Sequence, residues 1–319
     1  MIAEHRDERM ETREMSAPTT TAAAAADAAS ASSPAAPLTG LLRTADGLEL
    51  ASYRWPAGDR TTPPRATVAL LHGLAEHAGR YAALAARLNA ADIELLAIDL
   101  RGHGRSPGKR AWIERFDDYL YDADTLVAEA ARADTPLFLM GHSMGGAVAA
   151  LYAIERAPTL GRALTGLVLS SPALAPGRDV PRWMLALSRF ISRAWPTFPA
   201  IRIDAALLSR DPAVVADNRA DPLVHHRAVP ARTGAEILDA MARIERGRGA
   251  LRVPVLVYHG TADKLTEPDG SRAFGAHVGS PDRTLTLYDG GFHETMNDIE
   301  RDRVIGALID WIHARAPAR

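Results

Sequence analysis

The sequence predicts an α/β fold in which helices cover both faces of a mostly parallel central sheet. Short apolar runs alternate with longer amphipathic segments along most of the chain, as in repeated strand–helix units. The runs at 66–71 and 93–98 are apolar at nearly every position, which is typical of strands buried on both faces of a parallel sheet. The alternation stops once, between residues 170 and 249, and this indicates a single inserted segment.

The predicted sheet begins at residue 38. A hairpin is expected around Asp46-Gly47, because Asp-Gly is a favoured two-residue turn between strands. Later strands are predicted at 66–71, 93–98, 137–140, 164–169, 253–258 and 283–288. Helices are predicted at 81–90, 117–133, 145–150 and 304–312. The core is therefore expected to comprise residues 38–169 and 250–319.

The insertion at 170–249 is predicted to be a helical cap. It contains apolar helical pieces and prolines, and ligands of open α/β sheets bind at the carboxyl ends of the strands. We expect Trp183, Phe190 and Ile191 to line a channel for an apolar substrate, since they belong to the most apolar run of the cap. Packing between cap and core is the alternative role for these residues. The same run has an apolar face suited to peripheral contact with a membrane.

The first 37 residues differ in composition from the rest. A charged start is followed by a segment of mostly Ala, Ser, Thr and Pro, which cannot bury enough apolar surface to offset its ordering entropy. Residues 1–37 are therefore expected to be disordered. The alanine tract at 22–26 is too weakly apolar for a secretory signal, and no stretch reaches the roughly 18 apolar residues of a membrane-spanning helix. We expect a cytoplasmic protein.

Charge and composition exclude several function classes. The 319 residues carry a formal net charge of -2, which offers no general attraction to nucleic acid. The lack of cysteine excludes disulfides, thiolate metal sites and cysteine nucleophiles. No H-E-x-x-H or P-loop motif is present. We therefore expect no metal, no cofactor and no nucleic-acid partner, and the oligomeric state is left open.

The pentapeptide Gly141-His142-Ser143-Met144-Gly145 stands between a predicted strand and a predicted helix. G-x-S-x-G in this position predicts a nucleophile elbow, a sharp turn that holds the hydroxyl of Ser143 above the sheet. The next helix begins beneath the serine, so its N–H groups and its dipole favour negative charge there. The alternative is an unreactive serine in a turn of small residues.

A serine hydroxyl becomes nucleophilic when a base takes its proton. Triads that start with such an elbow continue along the chain with Asp or Glu and then His. His293 follows the last predicted strand in a loop with two glycines, which lets the ring turn towards Ser143. Asp263 follows the penultimate strand and would fix the tautomer of His293. Asp269 and Asp282 are the alternatives, with structural roles as a helix cap and a turn residue.

A tetrahedral intermediate needs two backbone N–H groups directed at its oxyanion. One is the N–H of Met144, the residue after the nucleophile. The second is expected from Leu74, in the loop that follows the strand at 66–71. Gly73 would let this loop come close to a substrate.

Five short motifs carry a resemblance to a known family. They are HGLAEHAGRY at 72–81, DLRGHGRS at 99–106, GHSMGG at 141–146, GTAD at 260–263 and FHE at 292–294. From about residue 41 onward the chain resembles the monoacylglycerol lipases and lysophospholipase-like serine hydrolases. This resemblance implies an α/β-hydrolase fold and hydrolysis of a lipid or small-molecule ester by Ser143, Asp263 and His293.

Monoacylglycerols are the first substrates that the resemblance implies. Lysophospholipids and short-chain esters are the alternatives within the same chemistry. A non-catalytic ligand-binding protein on the same scaffold is the alternative from another class, since fold alone does not determine function.

Overall fold

A nine-stranded sheet forms the centre of the fold in the computed structural model, which describes residues 11–14, 36–58, 62–161, 163–177 and 181–317. The strands of this sheet are β1 (Glu11–Glu14), β2 (Leu38–Arg43), β3 (Glu49–Trp55), β4 (Ala66–Leu71), β5 (Ile93–Ile98), β6 (Leu137–His142), β7 (Gly166–Ser170), β10 (Val255–Gly260) and β11 (Arg283–Tyr288). Two short strands, β8 (Pro199–Ile201) and β9 (Val229–Pro230), pair separately.

The order of the strands is β1-β11-β10-β7-β6-β4-β5-β3-β2. All neighbours from β1 to β5 run parallel, and only β3 and β2 are antiparallel to their neighbours. The predicted, mostly parallel sheet is therefore confirmed. Because Leu71 is in register with both Gly141 and Ile98, strands β4, β6 and β5 end side by side and their following loops meet at one edge.

Helices cover both faces of the sheet. They are α1 (Ala82–Ala90), α2 (Asp117–Ala130), α3 (Met144–Leu151), α4 (Arg182–Ala194), α5 (Pro212–Ala220), α6 (Ala231–Gly247), α7 (Pro268–His277) and α8 (Arg301–His313). Alternate residues of each buried strand face opposite sides. Val68 and Leu70 of β4 belong to the same buried cluster as residues of α1 and α8, whereas Ala69 and Leu71 belong to the cluster that contains residues of α2, α3 and α7.

The cap lies between β7 and β10 and consists of α4, β8, α5, β9 and α6. Two contacts attach it to the loop after β4. The His225 N–H donates to the Ala75 carbonyl at 2.8 Å, and His77 Nε2 lies 2.7 Å from Asp221 Oδ2. The cap is therefore held directly over the loop that carries Leu74.

The N-terminal segment departs from the expectation in one place. Residues 11–14 form β1, which pairs with β11 from Glu11 opposite Thr284 to Glu14 opposite Leu287. The expected disorder of residues 1–37 does not extend to these four residues, because β11 would otherwise be an edge strand with unpaired backbone groups. Residues 1–10 and 15–35 lie outside the described residues.

Among the described residues, no helix combines the length and the apolar character needed to cross a bilayer.

Candidate active site

Ser143 occupies a strained turn between β6 and α3. Its φ of 54° and ψ of -119° lie in a region that L-residues rarely adopt, so the surrounding structure must hold it there. The Ser143 N–H donates to the Ser170 carbonyl at 2.9 Å, and the Ser143 carbonyl accepts from the N–H groups of Gly146 and Ala173, each at 3.0 Å. This backbone geometry agrees with the predicted elbow.

Two glycines make the elbow possible. A Cβ at Gly141 would overlap the carbonyl of Gly145, and a Cβ at Gly145 would overlap the carbonyl of Leu71. The backbone of α3 therefore lies against β6 and β4 with no room for a side chain. This close approach explains why the residues two before and two after Ser143 are both glycine.

Asp263 and His293 follow β10 and β11, and because these strands are parallel neighbours their loops lie side by side. His293 Nδ1 is 2.7 Å from Asp263 Oδ2, and both residues are buried. The His293 ring lies 4.7 Å from the ring of His142, which precedes Ser143. Ser143, Asp263 and His293 all line one cavity. The structure thus brings the three predicted catalytic residues together.

Ser143 Oγ and His293 are not hydrogen-bonded in the described structure. Hydrogen bonds of this kind are often long in unliganded sites and shorten when substrate binds. In this geometry the base is already paired with its acid.

The acid and the base shift each other's pKa. Burial alone would raise the pKa of Asp263, but the charge of His293 and hydrogen bonds from His259 and His293 hold it well below its usual range. Burial alone would lower the pKa of His293, but the charge of Asp263 and their hydrogen bond raise it above its usual value. Asp263 is thus ionised, and His293 is a stronger base than an isolated histidine.

The alternative acids lie elsewhere. Asp269 is in the first turn of α7 and forms an ion pair with Arg272 at 3.4 Å. Asp282 pairs with Arg315, with one oxygen and one nitrogen 2.5 Å apart. Neither carboxylate contacts His293, so Asp263 is the only one of the three in position to orient it.

Leu74 and Met144, the predicted oxyanion donors, lie at the same cavity. Within the described residues, the N–H of neither residue has a hydrogen-bond partner. A Cβ at Gly73 would lie 3.2 Å from Ser143 Cβ, so the loop after β4 passes directly beside the serine. This placement leaves two backbone donors near the nucleophile, as an oxyanion hole requires.

A buried charge network fixes this loop. Glu76 accepts hydrogen bonds from the N–H of Gly73 at 2.6 Å and the hydroxyl of Tyr81 at 2.9 Å. Arg80 joins Glu76 at 2.6 Å to Glu294, to which it donates at 2.7 and 2.9 Å. Burial would raise the pKa of Glu76, but Arg80, His142, His72 and the Gly73 N–H together outweigh burial, and the pKa falls to about 2. Because Glu294 follows His293, Arg80 connects the loop after β4 to the loop that carries His293.

The cavity has a volume of about 970 Å³ and extends from Ser143 beneath the cap. The polar part of its wall includes Glu76, Arg80 and His142, from the core segments beside Ser143, and His225 of the cap. The apolar part comes largely from the cap and includes Leu185, Ile191, Ile201, Ile237, Leu238 and Met241. Such a site suits a ligand with a small polar end and a long apolar end.

Of the three cap residues predicted to line a substrate channel, Ile191 lines the cavity and Trp183 and Phe190 do not. Trp183 and Phe190 are instead 64% and 67% exposed. Residues 183, 187 and 190 share one stripe of α4, and residues 184, 188 and 191 share the next. The second stripe faces the cavity. Both stripes contain apolar residues, so hydropathy could not tell which one faces inward.

Three residues that contribute contacts to the site were not predicted from the sequence. Arg80 and Glu294 lay inside quoted motifs, but nothing in the sequence showed that they pair. His259 was assigned no role from the sequence, yet its Nε2 lies 2.9 Å from Asp263 Oδ2. Its position four residues before the acid was the available signal. Within the described segments, no group of three or more metal-ligating side chains is placed to hold a metal ion.

Comparison with known proteins gives consistent matches. Residues 62–300 match the family described as "Serine aminopeptidase, S33". The monoacylglycerol lipase of Mycolicibacterium smegmatis is 38% identical over 79% of this chain and 89% of its own. The monoglyceride lipase of Mus musculus is 34% identical over 87% of this chain and 91% of its own. The crystal structure of a monoacylglycerol lipase from Paleococcus ferrophilus is similar with a TM-score of 0.72 and 33% identity, covering 84% of this chain and 99% of that one.

Proposed function

We propose that this chain, which belongs to the hydrolase family described as serine aminopeptidase S33, cleaves the ester bond of monoacylglycerols. It is a serine hydrolase of carboxylic esters with an α/β-hydrolase fold, and the family resemblance of its motifs is confirmed. The observation that carries the substrate proposal is the cavity, whose wall combines polar residues of the core beside Ser143 with apolar residues of the cap. A monoacylglycerol likewise combines a small polar head with one apolar acyl chain.

In the proposed reaction, Ser143 Oγ attacks the ester carbonyl while His293 takes its proton. The N–H groups of Leu74 and Met144 hold the oxyanion of the tetrahedral intermediate. His293 then gives the proton to the glycerol oxygen, and the acyl-enzyme forms. Water repeats the sequence on the acyl-enzyme and releases the fatty acid. Asp263 keeps the proton of His293 on Nδ1 and stabilises the imidazolium.

Acyl-chain length is the direct test of the substrate. We expect kcat/KM to rise from acetyl to butyryl to octanoyl glycerol, because each buried methylene contributes about 0.8 kcal/mol. Lysophospholipids, diacylglycerols and p-nitrophenyl acetate should be measured with the same enzyme. A flat response to chain length, or a preference for acetate, would contradict a monoacylglycerol lipase and favour a small-ester hydrolase. Hydrolysis of none of them would favour a binding protein.

Two neighbouring residues of α4 provide a matched pair for this test. Ile191→Ser is expected to reduce kcat/KM for the octanoyl ester by about tenfold while sparing the acetyl ester, since Ile191 lines the cavity. Phe190→Ser should leave the dependence of kcat/KM on acyl-chain length unchanged for dissolved substrates, because Phe190 is exposed. Equal losses on both esters in Ile191→Ser, together with a lower Tm, would mean that Ile191 only packs the cap.

We further propose that the exposed stripe of α4 contacts a lipid surface. Trp183 and Phe190 are 64% and 67% exposed, and Leu187 between them is also exposed. Trp195, directly after the helix, is also exposed. Aromatic residues on one side of a surface helix favour insertion at the boundary between headgroups and acyl chains.

Vesicle binding tests this contact. The double variant Trp183→Ser/Phe190→Ser is expected to bind phosphatidylcholine vesicles at least about tenfold more weakly in co-sedimentation, since two large apolar side chains are lost. Its kcat/KM for a dissolved butyryl ester should not change. Ile299→Ser is the matched control, because Ile299 is an equally exposed apolar residue outside the cap. Equal vesicle binding by all three proteins would refute the contact.

A further inference from the structure

Asp263 contacts a second histidine that the proposed reaction does not use. His259 lies in β10 and is fully buried. Its Nε2 is 2.9 Å from Asp263 Oδ2, the same oxygen that lies 2.7 Å from His293 Nδ1. On the other side of the ring, Nδ1 lies 2.7 Å from the hydroxyl of Ser271 in α7. The carboxylate is thus placed between two imidazole rings.

The direction of these hydrogen bonds follows from the charge of Asp263. A carboxylate that stays ionised has no proton to donate, so Nε2–H of His259 must be the donor. In the neutral ring the lone pair is then on Nδ1, where the Ser271 hydroxyl is in place to donate to it. Ser271 is also fully buried. This serine therefore favours the tautomer of His259 that Asp263 requires.

The remaining partners of Asp263 are neutral. Oδ1 accepts the N–H groups of Leu265 at 2.7 Å and Thr266 at 3.1 Å. The hydroxyl of Thr266 lies 2.8 Å from Oδ2. His259 is thus the one imidazole donor besides His293 among the described partners of this carboxylate. It approaches from the β10 side, whereas His293 approaches from the loop after β11.

We propose that His259 is a positioning residue of the reaction, which holds the Asp263 carboxylate in place and limits how strongly it attracts the proton of His293. The inference rests on the roles proposed for Asp263 and His293. A donor to a carboxylate stabilises its negative charge and so weakens its attraction for another proton. Without His259, Asp263 would have greater freedom to turn and would hold the protonated form of His293 more tightly.

This predicts the direction of a pH shift. Loss of the His259 donor strengthens the interaction between Asp263 and the imidazolium of His293, so the pKa of His293 rises. The acid limb of the pH profile, where kcat/KM falls as His293 becomes protonated, therefore moves to higher pH. The other ionisable groups that face His293 are Glu294 in its own loop, Glu76 after β4 and His142 at the elbow. None of them contacts His259, so they do not obscure the shift.

The test compares variants with and without the donor. His259→Met fills similar space but has no strong donor, and we expect a ten- to hundredfold lower kcat/KM and an acid limb about one pH unit higher. His259→Gln carries an amide N–H near the position of Nε2. It should therefore keep most of the activity, with the acid limb of the kcat/KM profile at the pH of the native enzyme. If His259→Met does not fold, His259→Asn replaces it, because this shorter amide reaches the position of Nδ1 and not that of Nε2.

His103→Met controls for the loss of a buried histidine. His103 is buried, its Nε2 has no partner within the described residues, and it contacts neither Asp263 nor His293. This variant should lower Tm without moving the acid limb.

Two outcomes would overturn the proposal. One is an unshifted acid limb in folded His259→Met, and the other is an equal loss of activity in His259→Gln and His259→Met. Either would mean that His259 only supports the fold. Failure of the underlying roles is distinguishable, because Asp263→Asn would then remain active. If His259 alone is misassigned, Asp263→Asn is still impaired.

Discussion

Alanine in place of Ser143 is expected to lower kcat for ester hydrolysis on the order of a millionfold, the scale on which loss of the nucleophile disables a triad. His293→Ala should cost a similar factor, and the double variant hardly more, because the two residues act as one unit. Ser143→Ala keeps a Cβ at the strained φ of 54°, so it should fold with an unchanged Tm. The measurement is single-turnover hydrolysis of butyryl glycerol with both variants.

A serine-directed phosphonate provides the independent control for this prediction. It should label the native protein at one site, which peptide mapping assigns to Ser143. The neighbouring residue Ser170 is fully buried and its hydroxyl lies 3.0 Å from His142 Nδ1, so it serves as a matched serine that should remain unlabelled. Labelling that persists in Ser143→Ala would show that another residue is the nucleophile.

The sheet was predictable because its strands are buried on both faces. Apolar runs such as Ile93–Ile98 leave little choice of secondary structure once they alternate with amphipathic segments. The prediction for the strand at 253–258 ended too early, since β10 continues through Gly260. His259 looks like a loop residue by hydropathy, yet it is buried because both ring nitrogens have partners. Such partners come from distant parts of the chain and leave no local pattern.

The sequence predicts the catalytic residues of the candidate site but not the residues that hold them in place. The elbow pentapeptide and the chain order of acid and base identify Ser143, Asp263 and His293, which the structure brings together, and their roles stay predictions. The pairing of Arg80 with Glu294 spans more than 200 residues, so no spacing rule reveals it. In the cap, two adjacent apolar stripes of α4 satisfy the same helical period. Only the packed structure shows that Ile191 faces the cavity and Phe190 does not.

Asparagine in place of Asp263 is expected to reduce kcat by about 10⁴-fold with little effect on the fold. The amide keeps the shape of the carboxylate but can present an N–H to His293 Nδ1, which favours the wrong tautomer of the base. Asp269→Asn and Asp282→Asn are matched controls, since they make the same change in ion pairs away from His293 and should keep near-native activity. Near-native activity in Asp263→Asn with a large loss in either control would identify a different acid.

Asp263→Asn is also expected to change the pH dependence of kcat/KM. The pKa of His293 is raised by the charge of Asp263 and their hydrogen bond, so activity should fall as pH decreases through that raised value and the base becomes protonated. Asp263→Asn removes this charge, and burial then lowers the pKa of His293. The acid limb of the residual kcat/KM should therefore move to lower pH, opposite to the shift expected for His259→Met. Opposite shifts from substitutions on the two sides of one hydrogen bond would indicate that Asp263 transmits the effect of His259 to the base, whereas shifts in the same direction would contradict that arrangement.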